Sequence, residues 1–338
     1  MHEQDAGNYR APTWLPGGHL QTIYPYLFLR QRVPPLRREQ WDTPDGDVID
    51  VDWLDGPAHA PLVVLFHGLE GGSRSHYARA VLYELHARGW RGAVPHFRGC
   101  GGAPNRLPRA YHSGDFEEVD WVLRRIAALA PVKPRFAIGV SLGGNALLKW
   151  LVVRGVQAGD LIQAAAAVSA PMDLMAAGLG LGRGFNRVYT WNFLRTLKRK
   201  SLAKLQRFPG LYSRKALARA RSMYEFDNIV TAPLHGFRDT DDYWTRASTR
   251  DELRHIRVPT LIVHARNDPF LPGRHLPRPD QASDCVTLEF PQQGGHVGFV
   301  TGRFPGRLDW LPRRLLGFFA QTMQAETADR TQPLDYGV

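Results

Sequence analysis

Phe136-Ala-Ile-Gly-Val140-Ser141-Leu142-Gly143-Gly144-Asn145 is the stretch on which the fold turns. A short apolar run ends at Ser141, and Asn145 to Val153 follows at once with helical spacing. Inside it, Gly139-Val-Ser141-Leu-Gly143 has the form Gly-x-Ser-x-Gly. A serine on a sharp strand-to-helix turn stands exposed at the sheet's edge, and flanking glycines let the backbone pack closely. The pattern alone is moderately specific in a chain with 33 Gly. The strand before it and the helix after it favour a nucleophile over a plain serine at a Gly-rich helix start.

Outward from this turn the alternation continues. Leu62 to Phe66 is an apolar run stopped by His67-Gly68, and Tyr77 to Arg88 reads as a helix ended by Gly89. Gly92 to Pro95 is a weaker strand. Phe116 to Leu129 reads as a helix capped by Asp115. Ala164 to Ser169, Thr260 to His264 and Val286 to Phe290 are further runs, and Leu311 to Met323 is a last helix. Continuous apolar strands alternating with helices predict an α/β fold with a mainly parallel sheet covered on both faces. The predicted core is 46–170 with 257–325. Residues 1–45 read as an ordered arm without period, whose Trp14, Leu15, Ile23, Tyr24, Tyr26 and Phe28 ask for burial. Residues 171–256 hold no good strand and read as a helical lid or cap. Residues 326–338 read as a frayed tail.

A serine needs a base, and the base an orienting acid; the order in such a sheet is Ser, acid, His. Asp268 follows Thr260-Leu-Ile-Val-His264 in a loop past a strand end, where open α/β sheets place their sites. His296 lies in Gly294-Gly-His-Val-Gly298, a loop free to present the ring. Asp227 is the rival acid, placed in the lid. Backbone N–H groups of Leu69 and Leu142 are the candidate oxyanion donors. His67 reads as a structural residue fixing the first loop.

Other features carry less. Arg98-Gly-Cys-Gly-Gly102 lacks a phosphate-loop pattern, Cys100 is a weak nucleophile candidate, and the His275–Asp280 spacing reads as coincidence. No cluster has metal-ligand spacing, so neither metal nor cofactor is expected. The length, 338 residues, suffices for a core without staples. Two cysteines make no disulfide framework. Neither a signal peptide nor a transmembrane run is recognised, so a cytoplasmic location is the default expectation. The net charge is +11, with 37 of 43 cations Arg and most of them scattered, so nucleic acid is not expected as a partner. The dense stretch Arg195 to Lys204 reads as a solvated helix face, with weak membrane-surface contact as the alternative.

Six motifs in order resemble one family. They are Trp14-Leu-Pro-Gly-Gly-His-Leu-Gln-Thr22, His67-Gly-Leu-Glu-Gly-Gly-Ser73, Phe97-Arg-Gly-Cys-Gly-Gly102, Gly139-Val-Ser-Leu-Gly-Gly-Asn145, Asn267-Asp-Pro269 and Gly294-Gly-His-Val-Gly-Phe299. Over roughly 12–320 the chain resembles the α/β-hydrolase superfamily, in its YheT-like branch related to the eukaryotic ABHD lipases. The resemblance implies Ser141 as nucleophile, Asp268 as orienting acid, His296 as base and hydrolysis of a carboxylic ester, a small-molecule acyl ester whose identity it does not fix. Gly144 departs from the Ala often found there. Transfer of the acyl group to an alcohol, or a non-catalytic protein docked on membranes, are the alternative readings. The aromatics Phe185, Tyr189, Trp191 and Phe193 line an acyl pocket or form the lid's own core. Substrate chain length and oligomeric state stay open.

Overall fold

The computed structural model describes residues 9–331, apart from 30 and 103. Eight strands form one sheet: β1 (Arg37–Asp42), β2 (Val48–Leu54), β3 (Leu62–Phe66), β4 (Arg91–Pro95), β5 (Arg135–Val140), β6 (Ala164–Val168), β7 (Thr260–Val263) and β8 (Val286–Glu289). Their spatial order is β1-β2-β4-β3-β5-β6-β7-β8. β1 pairs with β2, and β2 with β4, antiparallel; every pairing from β4 to β8 is parallel.

The apolar runs follow from burial on both faces. Along β3, Leu62, Val64 and Phe66 face one layer of the core, and Val63 and Leu65 face the other. Successive side chains of a strand point to opposite faces, so a strand covered twice has no polar positions to alternate with. Helices Phe116–Leu129 and Leu142–Arg154 cover the first face, through Val119, Val122 and Leu147. Helices His76–Ala87 and Trp310–Thr331 cover the second, through Val81, Leu85, Leu315 and Phe319.

Between β6 and β7 the chain is helical. Helices Leu174–Leu181, Arg187–Arg207, Arg214–Arg219, Met223–Phe226 and Thr240–Ala247 gather an apolar cluster of their own around Leu174, Leu194, Leu217, Phe226 and Trp244. Among the described residues no helix is long and apolar enough to cross a membrane.

Several expectations need correction. Part of the N-terminal arm belongs to the sheet, because Arg37–Asp42 is its edge strand. A helix, Gly18–Phe28, precedes it. Leu15 is buried as expected, but Tyr26 and Phe28 face out, because the helix turns Gln21, Thr22 and Pro25 inward instead. Asp115 stands at the N-cap of its helix without capping it; its carboxylate accepts from Arg109 Nη2 at 2.7 Å. The last helix runs to Thr331, beyond the predicted start of the tail; 332–338 lie outside the described residues.

Candidate active site

The turn after β5 places Ser141 at φ 53°, ψ −120°, with its N–H donating to Val168 O of β6 at 2.8 Å. A Cβ on Gly139 would lie 2.5 Å from Gly143 O, and one on Gly143 2.5 Å from His67 O. Only glycine lets strand, turn and helix approach this closely. A Cβ on Gly144 would meet Ala170 Cβ at 3.0 Å, a milder contact.

Three side chains meet here from three loops at strand C-terminal ends. His296 Nε2 is 2.9 Å from Ser141 Oγ, and His296 Nδ1 is 2.8 Å from Asp268 Oδ2. With Nδ1–H donating to the carboxylate, Nε2 is free to accept the hydroxyl proton. Asp268 is buried. Burial alone would raise its carboxyl, but the charge and hydrogen bond of His296 outweigh this and hold it below its usual range. Its other oxygen accepts from Phe270 N–H at 2.8 Å, and the buried His264 Nε2 lies 3.3 Å from Oδ2. His264 Nε2 donates to Leu271 O at 3.0 Å, and burial lowers the pKa of its ring. The Phe270 ring stacks on His296 with centroids 4.0 Å apart.

The His296 loop is neither helix nor strand, yet four successive N–H groups find acceptors, each from a side chain. Gly294 N–H donates to Gln21 Oε1, Gly295 N–H to Asn267 Oδ1, His296 N–H to Thr22 Oγ1 and Val297 N–H to Ser169 Oγ, at 2.8–3.1 Å. Gln21 is buried and also accepts from Asn267 Nδ2 and donates to Leu15 O and Gln293 Oε1. A Cβ on Gly298 would lie 2.0 Å from Gln21 O, so loop and N-terminal helix touch backbone to backbone. Gln21, Thr22, Ser169, Asn267 and Phe270 escaped the reading by residue chemistry. The signal for Gln21, Thr22 and Asn267 lies in the Trp14–Thr22 and Asn267–Pro269 motifs; Ser169 and Phe270 lie in none of the motifs.

Among the described residues the non-glycine positions at positive φ are Glu70, Ser141, Ser169, Val297 and Phe299, all in loops leaving the C-terminal ends of β3, β5, β6 and β8. Strained backbone concentrated at one edge marks a site whose surroundings hold it in place.

Leu69 and Leu142, with Ser141 and His296, line one cavity of about 430 Å³. Leu142 opens its helix, so its N–H has no intrahelical acceptor. A Cβ on Gly68 would lie 3.1 Å from Ser141 Cβ, which sets the Leu69 loop against the serine. His67 is buried; its Nδ1 donates to Gly68 O and its Nε2 accepts from Phe97 N–H, so both nitrogens fix the backbone. Burial drops its pKa to about 3. Much of the rest of the wall is apolar and comes from the β6–β7 segment, including Leu181, Phe193, Leu197 and Phe226, with Ala110, Tyr111 and Ser113 from the loop after β4. Of the four aromatics singled out there, Phe193 lines the cavity, whereas Phe185 and Trp191 face outward.

The remaining candidates fall elsewhere. Asp227 lines the cavity but binds Thr231 Oγ1 and Trp244 Nε1, and burial pushes its pKa to about 6; it makes no contact with His296. Arg98 is spent on Glu118, Asp45 and Asp47. Burial raises the Cys100 thiol to about 12, which keeps it protonated. Asp280 pairs with Arg278 on the surface. In the basic stretch, Lys200 pairs with Glu70 and Lys204 donates to Pro108 O and Arg109 O, so part of it faces inward. Among the described residues no group of three His, Cys, Asp or Glu could hold a metal ion.

A hydroxyl against an imidazole, itself held by a carboxylate, can add to a carbonyl carbon while passing its proton to the ring. Residues 61–303 match the family described as alpha/beta hydrolase fold. The chain is 39% identical over 315 residues to the putative esterase YheT of Escherichia coli (strain K12), a match covering 91% of this chain and 92% of the relative. It is 31% identical over 304 residues to phospholipase ABHD3 of Mus musculus, covering 86% and 72%. The solved structure of Est1E from Butyrivibrio proteoclasticus with ferulic acid superposes with a TM-score of 0.55 at 17% identity, covering 85% of this chain and 100% of that one.

Proposed function

This chain belongs to the α/β-hydrolase family, and on that premise we propose that it is a serine esterase that cleaves small acyl esters through an acyl-enzyme. Ser141 Oγ attacks the ester carbonyl as His296 Nε2 takes its proton. Asp268 holds the imidazole's tautomer and stabilises the imidazolium. The N–H groups of Leu69 and Leu142 receive the oxyanion. The imidazolium then protonates the leaving alcohol, and water, deprotonated by the same ring, releases the acid. Residues 171–256 act as a cap whose apolar side chains hold the acyl group.

The observation that carries this reading is the unbroken contact chain from Asp268 through His296 to Ser141 on the wall of an apolar cavity. The cavity volume, about 430 Å³, suits a short- to medium-chain ester or a monoacylglycerol-like lipid. The names of the relatives, an esterase and a phospholipase, point the same way. The test is hydrolysis of p-nitrophenyl esters from acetate to palmitate by the wild type and Ser141→Ala. Turnover that peaks at short or medium chains and vanishes in the variant is expected. A folded wild type inert on every ester and unlabelled by a fluorophosphonate would sink the reading.

A further inference from the structure

The helix Gly18–Phe28 is amphipathic in the inverted sense. Its polar side chains Gln21 and Thr22 are buried, while Leu20, Leu27 and Phe28 are solvent-exposed, Phe28 at 67%. Rings continue this surface at both ends. From Phe28 a chain of contacts runs through Tyr24 and Trp14 to Phe304, which is 73% exposed, with centroids 5.1–5.5 Å apart. At the other end His19 packs on Phe185 at 4.6 Å, and Trp191, 63% exposed, lies on the adjoining helix Arg187–Arg207. Exposed apolar side chains scattered singly mean nothing, but a joined set marks an interaction surface.

Charge identifies the partner. The elements that build this face are Gly18–Phe28, Phe185 to Arg195 and Arg303 to Arg307, where Arg307 pairs with the adjoining Asp309. None contains an Asp or Glu; all 32 acids of the chain lie outside them. The surrounding segment, Leu174 to Tyr224, carries twelve cations. Some of these face inward, Lys200 and Lys204 among them, but Arg183, Arg187 and Arg195 have no carboxylate partner among the described residues. Arg195 sits over the Trp191 ring at 5.2 Å. Arginines beside Trp, Phe and Leu, with no acid among them, match an interface of anionic headgroups over acyl chains.

We propose that this face, formed by the outward side of Gly18–Phe28, the Phe185–Trp191 turn and the Phe304 loop, docks the protein on an anionic lipid bilayer. The apolar side chains enter the headgroup boundary and the arginines bind phosphates. The surface also leads to the candidate site: Tyr189 accepts or donates at 3.1 Å with His19 and packs on Phe270, which stacks on His296. The docking face is thus joined through these rings to the loop that carries His296. The proposal reads binding, not turnover, and stands whether or not the esterase reading holds.

Cosedimentation with phosphatidylcholine vesicles, plain or enriched in phosphatidylglycerol, tests it. The wild type pellets with the anionic vesicles, less so as salt rises, and stays free of the neutral ones. Arg183→Gln/Arg187→Gln/Arg195→Gln weakens partitioning on the order of a hundredfold, and Leu27→Glu/Phe28→Glu lowers it by at least about tenfold. Both variants keep wild-type unfolding curves and, where the wild type turns over p-nitrophenyl butyrate, its rate. A wild type that stays in solution with anionic vesicles overturns the proposal, as do variants that bind as well as it. A concentration-dependent dimer broken by Leu27→Glu/Phe28→Glu, with no vesicle binding, gives the face to a second copy instead.

Discussion

Gln21→Met removes the side-chain amide that joins the N-terminal helix to the His296 loop while keeping its length. Four hydrogen bonds go: from Gly294 N–H and Asn267 Nδ2 to Oε1, and from Nε2 to Leu15 O and Gln293 Oε1. Gly294 N–H and Leu15 O are left buried without partners, at about 1–3 kcal/mol each, whereas Asn267 and Gln293 are partly exposed and can turn to water. The expected loss of stability is about 2–6 kcal/mol. The loop that carries His296 loses one of its four side-chain anchors, and a shift of about 1 Å at such a base costs up to about a hundredfold in rate. Urea unfolding and steady-state kinetics on p-nitrophenyl butyrate, below the melting range of the variant, read the two effects separately. We expect kcat to fall about tenfold to a hundredfold with KM nearly unchanged. Gln21→Glu, which keeps an acceptor for Gly294 N–H, restores part of kcat but little stability. If Gln21→Met loses stability and keeps its kcat, the glutamine only holds the fold and the positioning argument is wrong.

Asp268→Asn should lower kcat on the order of 10⁴-fold, because an amide no longer selects the His296 tautomer; Asp227→Asn should leave kcat within about threefold, since Asp227 does not touch the ring. Gly143→Ala should cost about 3 kcal/mol or more, because its Cβ meets His67 O at 2.5 Å, while Gly144→Ala, with its nearest contacts at 3.0 Å, should stay within about 1 kcal/mol of wild type by differential scanning calorimetry. Acid should destabilise the fold well above the carboxylate range. Burial depresses His67 from 6.5 to about 3, and His76 and His112 to about 4, so the folded state keeps them neutral while the unfolded chain protonates them below 6.5. Their stabilising contribution is complete above pH 6.5 and is lost progressively as pH falls towards 4, with each histidine costing about 2 kcal/mol by pH 5. Urea midpoints unchanged between pH 7.5 and 5 would refute this.

What could be read from the residues and what could not divides along a physical line. Strands β3, β5, β6 and β7 are buried on both faces, so their apolar runs stand out from any background. The loops after β5 and β7 hold Ser141 and Asp268, and the loop after the half-buried β8 holds His296, because parallel strands send their C-terminal ends to one edge. β1 was illegible for the opposite reason. Arg37-Arg-Glu-Gln-Trp-Asp42 is an edge strand, and edges carry charge against further pairing. Asp115 stands at its helix start without capping it: its Oδ1 accepts from Arg109, and its backbone, at φ −77° and ψ 64°, lies outside the extended region of an N-cap. The inward turn of Lys200 and Lys204 depends on Glu70 and on the carbonyls of Pro108 and Arg109, which lie about a hundred residues away in sequence.

The helix Gly18–Phe28 defeated the usual rule that aromatics seek the core, and the reason lies in the His296 loop. A loop flexible enough to present an imidazole has backbone N–H groups that no helix or strand can satisfy. The N-terminal helix meets two of them with Gln21 and Thr22, so its polar side chains must point in. In a helix of 11 residues with three buried positions, the apolar remainder can then only point out. Exposed Leu20, Leu27 and Phe28 are therefore the geometric consequence of anchoring the His296 loop, unless the outward face is itself covered. Anchoring alone would allow Ser, Lys or Glu on that face at no cost to the loop. Leucine and phenylalanine there, in a segment free of acids, need a second cause, and an anionic lipid surface supplies one that acts on the same helix.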